Sequence, residues 1–161
     1  MELEILPGRY AVCRLQPDSV QPIWARQPAG GELLSVTWSN SELSVVCPED
    51  RVPNGVVAER SFTAIRVRGI LDFALVGVLA SLTFTLSHEG IPVFAISTHD
   101  TDYLLVRVED TERSAAALVA AGHEVASAVD GDGPDGTELL GERGNPVTRA
   151  AITPSLLPTL V

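Results

Sequence analysis

The sequence predicts an α+β fold of two β-α-β-β-α-β units side by side, the first degenerate and both built on antiparallel sheets. Three observations carry this. From residue 62 onward, strand-like and helix-like runs follow in the order strand, helix, strand, strand, helix, strand. The first sixty residues hold short β-branched runs in a similar order, but Pro and Gly cut them too often for a long helix. At 161 residues and 45% hydrophobic content, the chain can bury a substantial core.

Breakers at Pro7-Gly8, Pro17, Pro22, Pro28, Gly30-Gly31, Pro48, Pro53 and Asn54-Gly55 divide the first third. Between them, residues 10–15 (YAVCRL), 33–38 (LLSVTW) and 43–48 (LSVVCP) read as strands, the last two joined by the hairpin turn SNSE. Residues 23–26 suit one short helix, and residues 56–59 supply a fourth strand if this part copies the second. Residues 62–68 (FTAIRVR) then alternate, with Thr63, Ile65 and Val67 on one face and Arg66 and Arg68 on the other. After Gly69, Asp72 offers an N-cap for a helix over 73–89 in which Leu75, Val76, Leu79, Leu82 and Leu86 form one stripe, stopped by Gly90. Strands follow over 91–97 and 103–108, then a helix from the N-cap Asp110 to Gly122, and a last strand over 124–128. That order is the split β-α-β pattern of ferredoxin-like folds. The units divide as 1–60 and 61–129, and 130–161 is a Gly-, Pro- and acid-rich tail with an apolar end. Its Asp130-Gly131-Asp132-Gly133 imitates a calcium loop, but the closing Glu at position twelve is replaced by Gly141.

Composition excludes whole classes of function. A net charge of −10 sets the chain against phosphate backbones and anionic membrane surfaces, so neither nucleic acid nor membrane is an expected partner. All 11 basic residues are Arg, which removes Schiff-base chemistry, pyridoxal phosphate anchoring and the Walker lysine. Cys13 and Cys47 sit in apolar runs and read as buried thiols. No apolar run reaches the roughly 18 residues of a membrane span. A cytoplasmic protein with no cofactor and no metal is the expectation.

Few residues suggest catalysis. His88 and His123 fall where a cation complements a helix C-terminus. Ser97, Thr98, His99, Asp100 and Asp102 gather hydroxyls, an imidazole and carboxylates, which reads either as a hydrolytic site or as a polar turn bonded to its own backbone. No Gly-x-Ser-x-Gly elbow accompanies them. A binding site is the remaining reading. The loop from Gly69 to Phe73 leads into a helix whose free N–H groups favour a carboxylate, and Asp72, Asp100 and Asp102 are acids available to an ammonium group.

The strings GIPVFAISTHDTDYLLV (90–106), VRGILDFALVGVLASL (67–82) and ELSVVCPED (42–50) resemble the small paired ACT-domain proteins related to the CASTOR arginine sensors, over roughly residues 5–128. The resemblance implies a non-catalytic regulatory protein that binds an amino acid between ACT units. It places ligand contacts at Gly69, Ile70, Leu71 and Asp72, with Val76 and Gly77 beyond, and at Ile96, Ser97, Thr98, Asp100 and Asp102. Asp102 would face a basic or amino group, Ser97 and Thr98 would hydrogen-bond, the Ile70 and Leu71 backbone would cradle the carboxylate, and Gly77 would permit close approach. Two departures stand out: the first unit lacks a long helix, and the animal sensors carry more ACT units than this chain holds. A homodimer completing the interface is therefore expected. The reading from another class is a protein-interaction module that takes no small ligand.

Overall fold

The computed structural model describes residues 1–26 and 32–127. The strands are β1 (Glu2–Ile5), β2 (Tyr10–Leu15), β3 (Ser35–Trp38), β4 (Leu43–Pro48), β5 (Ala58–Val67), β6 (Phe94–Ser97), β7 (Asp102–Arg107) and β8 (Glu124–Ser127). The helices are α1 (Val78–His88) and α2 (Thr111–Ala120). All eight strands form one sheet in the order β3-β4-β2-β5-β1-β8, with β7 pairing both β5 and β6.

β5 makes one sheet of the two halves. Its first residues pair with β2, extending β3-β4-β2 into the strand order of a ferredoxin-like unit whose helices are reduced to the 3-10 turns Ile23–Ala25 and Glu49–Arg51. Its later residues pair with β7 and β1, so the same strand opens the second unit and runs unbroken through residues 60 and 61. The join is a β-bulge: Tyr10 opposes Phe62 and Val12 opposes Glu59, leaving one extra residue on β5. Ser61 takes the left-handed conformation there, with φ of 62°. Two contacts hold it. The Ser61 N–H donates to the Glu49 carboxylate at 2.7 Å, and Arg107 donates to the Arg60 carbonyl at 2.8 Å.

The alternation read from 62–68 is observed: Ile65 and Val67 pack with Leu82, Leu86 and Leu118 of the helices and with Leu104 and Val106 of β7. Phe62 and Ala64 point the other way, onto Leu105, Tyr10 and Leu33. Cys13 and Cys47 are free thiols buried with Leu43 and Val45 in a third cluster, as expected.

Several expectations are corrected. β1 carries no strand signal in the sequence, because two of its four residues, ELEI, are acids. It lies between β5 and β8, and it pairs with β8 in parallel, so the sheet is not wholly antiparallel. The fourth strand of the first unit starts at Ala58 rather than 56, and β6 starts at Phe94 rather than 91. α1 begins at Val78, five residues later than expected, because Gly77 takes a φ of 85°. Asp72 therefore caps no helix, and Leu75 and Val76 leave the buried stripe, Val76 being 97% exposed. Asp110 does stand at the N-cap position of α2, but its carboxylate takes Arg113 rather than the helix N–H groups. His123 lies beyond the last turn of α2, which ends at Ala120; burial pushes its pKa down, and the Met1 amino nitrogen lies 3.5 Å from its Nδ1. Residues 130–161, with the calcium-like string, lie outside the described residues. No helix among the described residues is long and apolar enough to cross a membrane.

Candidate functional site

Two loops meet at one end of the second unit: the connection from β5 to α1 and the turn between β6 and β7. Gly69 turns the chain with φ of 85° as it leaves β5. The Leu71 N–H donates to the Asp100 carbonyl at 2.7 Å, and the Thr101 hydroxyl donates to the Val67 carbonyl at 2.6 Å. The turn is closed internally, with Thr98 N–H donating to the Thr101 carbonyl at 2.9 Å and Thr101 N–H donating to the Thr98 hydroxyl at 3.2 Å. The polar-turn reading of this string is thus what forms. The imidazole of His99 lies edge-on to Phe73 at 5.0 Å, tying the second loop to the first.

Between the loops opens a cavity of about 290 Å³. Gly69, Ile70, Thr98 and Asp100 line it, and these are the residues of the expected site that come together. The rest fall elsewhere. Leu71 adjoins it, but its N–H is already donated to Asp100, so it is not available to a carboxylate. Asp72 accepts the Ala74 N–H at 2.8 Å in a local turn. Val76 points to solvent, Gly77 starts α1, and Ile96 packs beside Tyr103 on the first cluster's opposite face of the sheet. Ser97 and Asp102 face each other across β6 and β7, the hydroxyl donating to the carboxylate at 2.6 Å. Asp102 thus lies across the sheet from Tyr103 and outside the cavity wall. His99 pairs with Asp100 at 2.9 Å, so the serine–histidine contact of a hydrolytic triad is not made.

Arg66 and Tyr103 also line the cavity, opposite each other in register, and sequence reasoning missed both. The signal was present: Arg66 lies on the outward face of the alternating strand. Its guanidinium pairs with Glu4. Burial opposes its charge, but Glu4 and Tyr103 outweigh that and hold its pKa above the ordinary arginine value. Its Nε is buried without a hydrogen-bond partner, a cost of roughly 1–3 kcal/mol in such settings. The cavity therefore presents one guanidinium and one carboxylate, with hydroxyls and a glycine turn between them.

The fold defines a small α+β domain of the ferredoxin-like type, with this cleft between two of its loops. Residues 57–120 match the family model described as ACT domain, and residues 8–55 match a second model described as an N-terminal domain. Among solved structures, protein Atu0741 from Agobacterium tumefaciens is 36% identical, with 78% of this chain and 92% of that one covered and a TM-score of 0.72. The chain belongs to the ACT-domain family. The fold recurs at lower identity. VC0802 from Vibrio cholerae, described as a possible transport protein, is 19% identical over 74% of this chain and 88% of its own, with a TM-score of 0.60. A structure of aspartokinase alpha and beta subunits is 17% identical over 76% and 97%, with a TM-score of 0.52. No curated protein matches the chain. ACT domains generally bind amino acids in regulatory roles.

Proposed function

We propose that this chain is a non-catalytic regulatory sensor that binds an amino acid in the cavity between the 69–72 loop and the 98–101 turn. The observation that carries the reading is the pairing of Arg66 and Asp100 on one small cavity. A zwitterion needs an anchor of each sign, and at about 290 Å³ the space is at the lower limit of ligand pockets, as a single amino acid requires. Arg66 receives the α-carboxylate and Asp100 the ammonium group, with Thr98 and the Gly69-Ile70 backbone between them. This replaces Asp102 by Asp100 as the acid of the site. An arginine ligand, as in the CASTOR-type sensors, is one case of this class. The protein works as a homodimer in the cytoplasm, with ligand binding shifting its association or conformation.

A second reading, an interaction module without a small ligand, draws on Ile70, Phe73, Leu75 and Val76, all exposed within one seven-residue loop. Thermal shift against the twenty amino acids separates the two. Ligand at about 100 times its Kd adds roughly 2.7 kcal/mol of stability, so a sensor gives a clear rise in Tm with at least one of them. Asp100→Asn abolishes that rise. If no amino acid stabilises the protein while Ile70→Ser and Val76→Ser disrupt its association, the interaction module is the correct reading.

A further inference from the structure

A larger cavity, about 600 Å³, lies past the opposite end of β7, where the turn between β1 and β2 approaches the start of α2. Its floor is apolar, formed by Ile5, Leu6 and Val108. Thr63 and Thr111 meet on its wall, their hydroxyls 2.7 Å apart. Three charged side chains line this space: Arg9 from the β1–β2 turn, Glu109 from the 3-10 turn Val108–Asp110 ahead of α2, and Glu112 from the first turn of α2. Among the described residues none of the three makes a side-chain hydrogen bond or ion pair. Their neighbours do: Asp110 holds Arg113, and Arg107 holds Glu59. Nothing in the amino-acid site described above uses this end of the unit.

We infer that this cavity is a second ligand site and that it takes a basic amino acid, a molecule with one carboxylate and two cationic groups. The charges match group for group. Arg9 offers a fork of donors to the carboxylate, and Glu109 and Glu112 receive the α-ammonium and the side-chain cation. The methylene stem between those cations lies over the apolar floor. The local balance of one positive and two negative groups complements the ligand's single net positive charge, and a neutral amino acid leaves one glutamate unanswered. The volume lies within the usual range for small-ligand sites, with room beyond one amino acid for the water an open cleft retains. The inference does not depend on what occupies the smaller cavity.

The test is titration of the full chain with arginine, followed by calorimetry and by amide chemical shifts, with leucine as the neutral control. Arginine is expected to shift the amides of Gly8, Arg9, Thr111 and Glu112, and leucine to leave them in place. The Glu109→Gln/Glu112→Gln double variant and Arg9→Ala each weaken arginine binding at this site at least tenfold, while Asp100→Asn changes it less than twofold. All are exposed positions, and circular dichroism confirms that the variants fold. Arginine shifts confined to Ile70, Thr98 and Asp100, or binding indifferent to the glutamate variants, overturn the second site and leave the sensor reading standing. Shifts at the second set of amides alone uphold it even if the smaller cavity takes no ligand.

Discussion

Ser61 is the residue on which the join between the units turns. A non-glycine residue in the left-handed region costs about 1–2 kcal/mol, and here the Glu49 carboxylate and the Arg107 guanidinium hold the backbone on either side in place. Glycine removes that strain but adds about 0.5–1 kcal/mol of unfolded-state entropy to be lost. Ser61→Gly is therefore expected to raise stability by up to about 1 kcal/mol, and Ser61→Val to lower it by more than about 1 kcal/mol, in urea denaturation. If glycine and valine behave alike, the bulge is not where the structure puts it. His123 gives a pH dependence of definite sign. Its pKa is lowered in the folded protein by burial, so the folded state prefers the neutral ring. That contribution is complete above the ordinary histidine value near pH 6.5 and is lost as pH falls below it, until the folded ring protonates too. His123→Gln is expected to flatten the fall of the urea midpoint between pH 7.5 and 5. An unchanged slope assigns the acid sensitivity to other groups.

Among the elements, α1 separates what the sequence could show from what it could not. The stripe of Leu79, Leu82 and Leu86 was legible because a 3.6-residue period places them on one face, and the structure buries Leu82 and Leu86 fully. The start was not legible. Leu75 and Val76 continue the period, and only the conformation of Gly77 decides that the helix excludes them. A local pattern cannot report that the 70–76 segment is instead drawn toward Asp100 by a backbone hydrogen bond. The candidate site followed the same division: Gly69, Ile70, Thr98 and Asp100 belong to contiguous strings and were found, while Arg66 and Tyr103 come together only through the pairing of β5 with β7. β1 was missed for a related reason, since four residues with two acids form a strand only where β5 and β8 flank them. Gly77 supplies a test with opposite signs. If the helix ran from 73, Gly77→Ala would stabilise by about 1 kcal/mol as an interior substitution. With Gly77 at a φ of 85° and open space around the new Cβ, the substitution instead costs about 1 kcal/mol, all of it backbone strain. The urea midpoint shows which sign holds.

For the molecule as a whole, the shared strand decides how the two units unfold. Separate ferredoxin-like domains would each carry four strands of their own, but here β5 closes the first unit and opens the second. β1, from the start of the chain, lies inside the second unit's half of the sheet and gives β8 its partner. Neither unit can lose its strands without exposing edge hydrogen bonds and core of the other, which favours one cooperative transition. The sequence provides separate reporters. Both tryptophans, Trp24 and Trp38, belong to the first unit, and among the described residues both α-helices belong to the second. Tryptophan fluorescence and the 222 nm circular dichroism signal are expected to give coincident urea transitions with the same midpoint and slope. Residues 61–127 expressed alone lack β1, so β8 loses its parallel partner and Leu3 leaves the cluster around Ile65 and Leu118. That fragment is expected to show no cooperative transition. A first unit that loses fluorescence at lower urea while helix signal persists, or a 61–127 fragment that unfolds cooperatively by itself, would show that the units are energetically independent despite the strand they share.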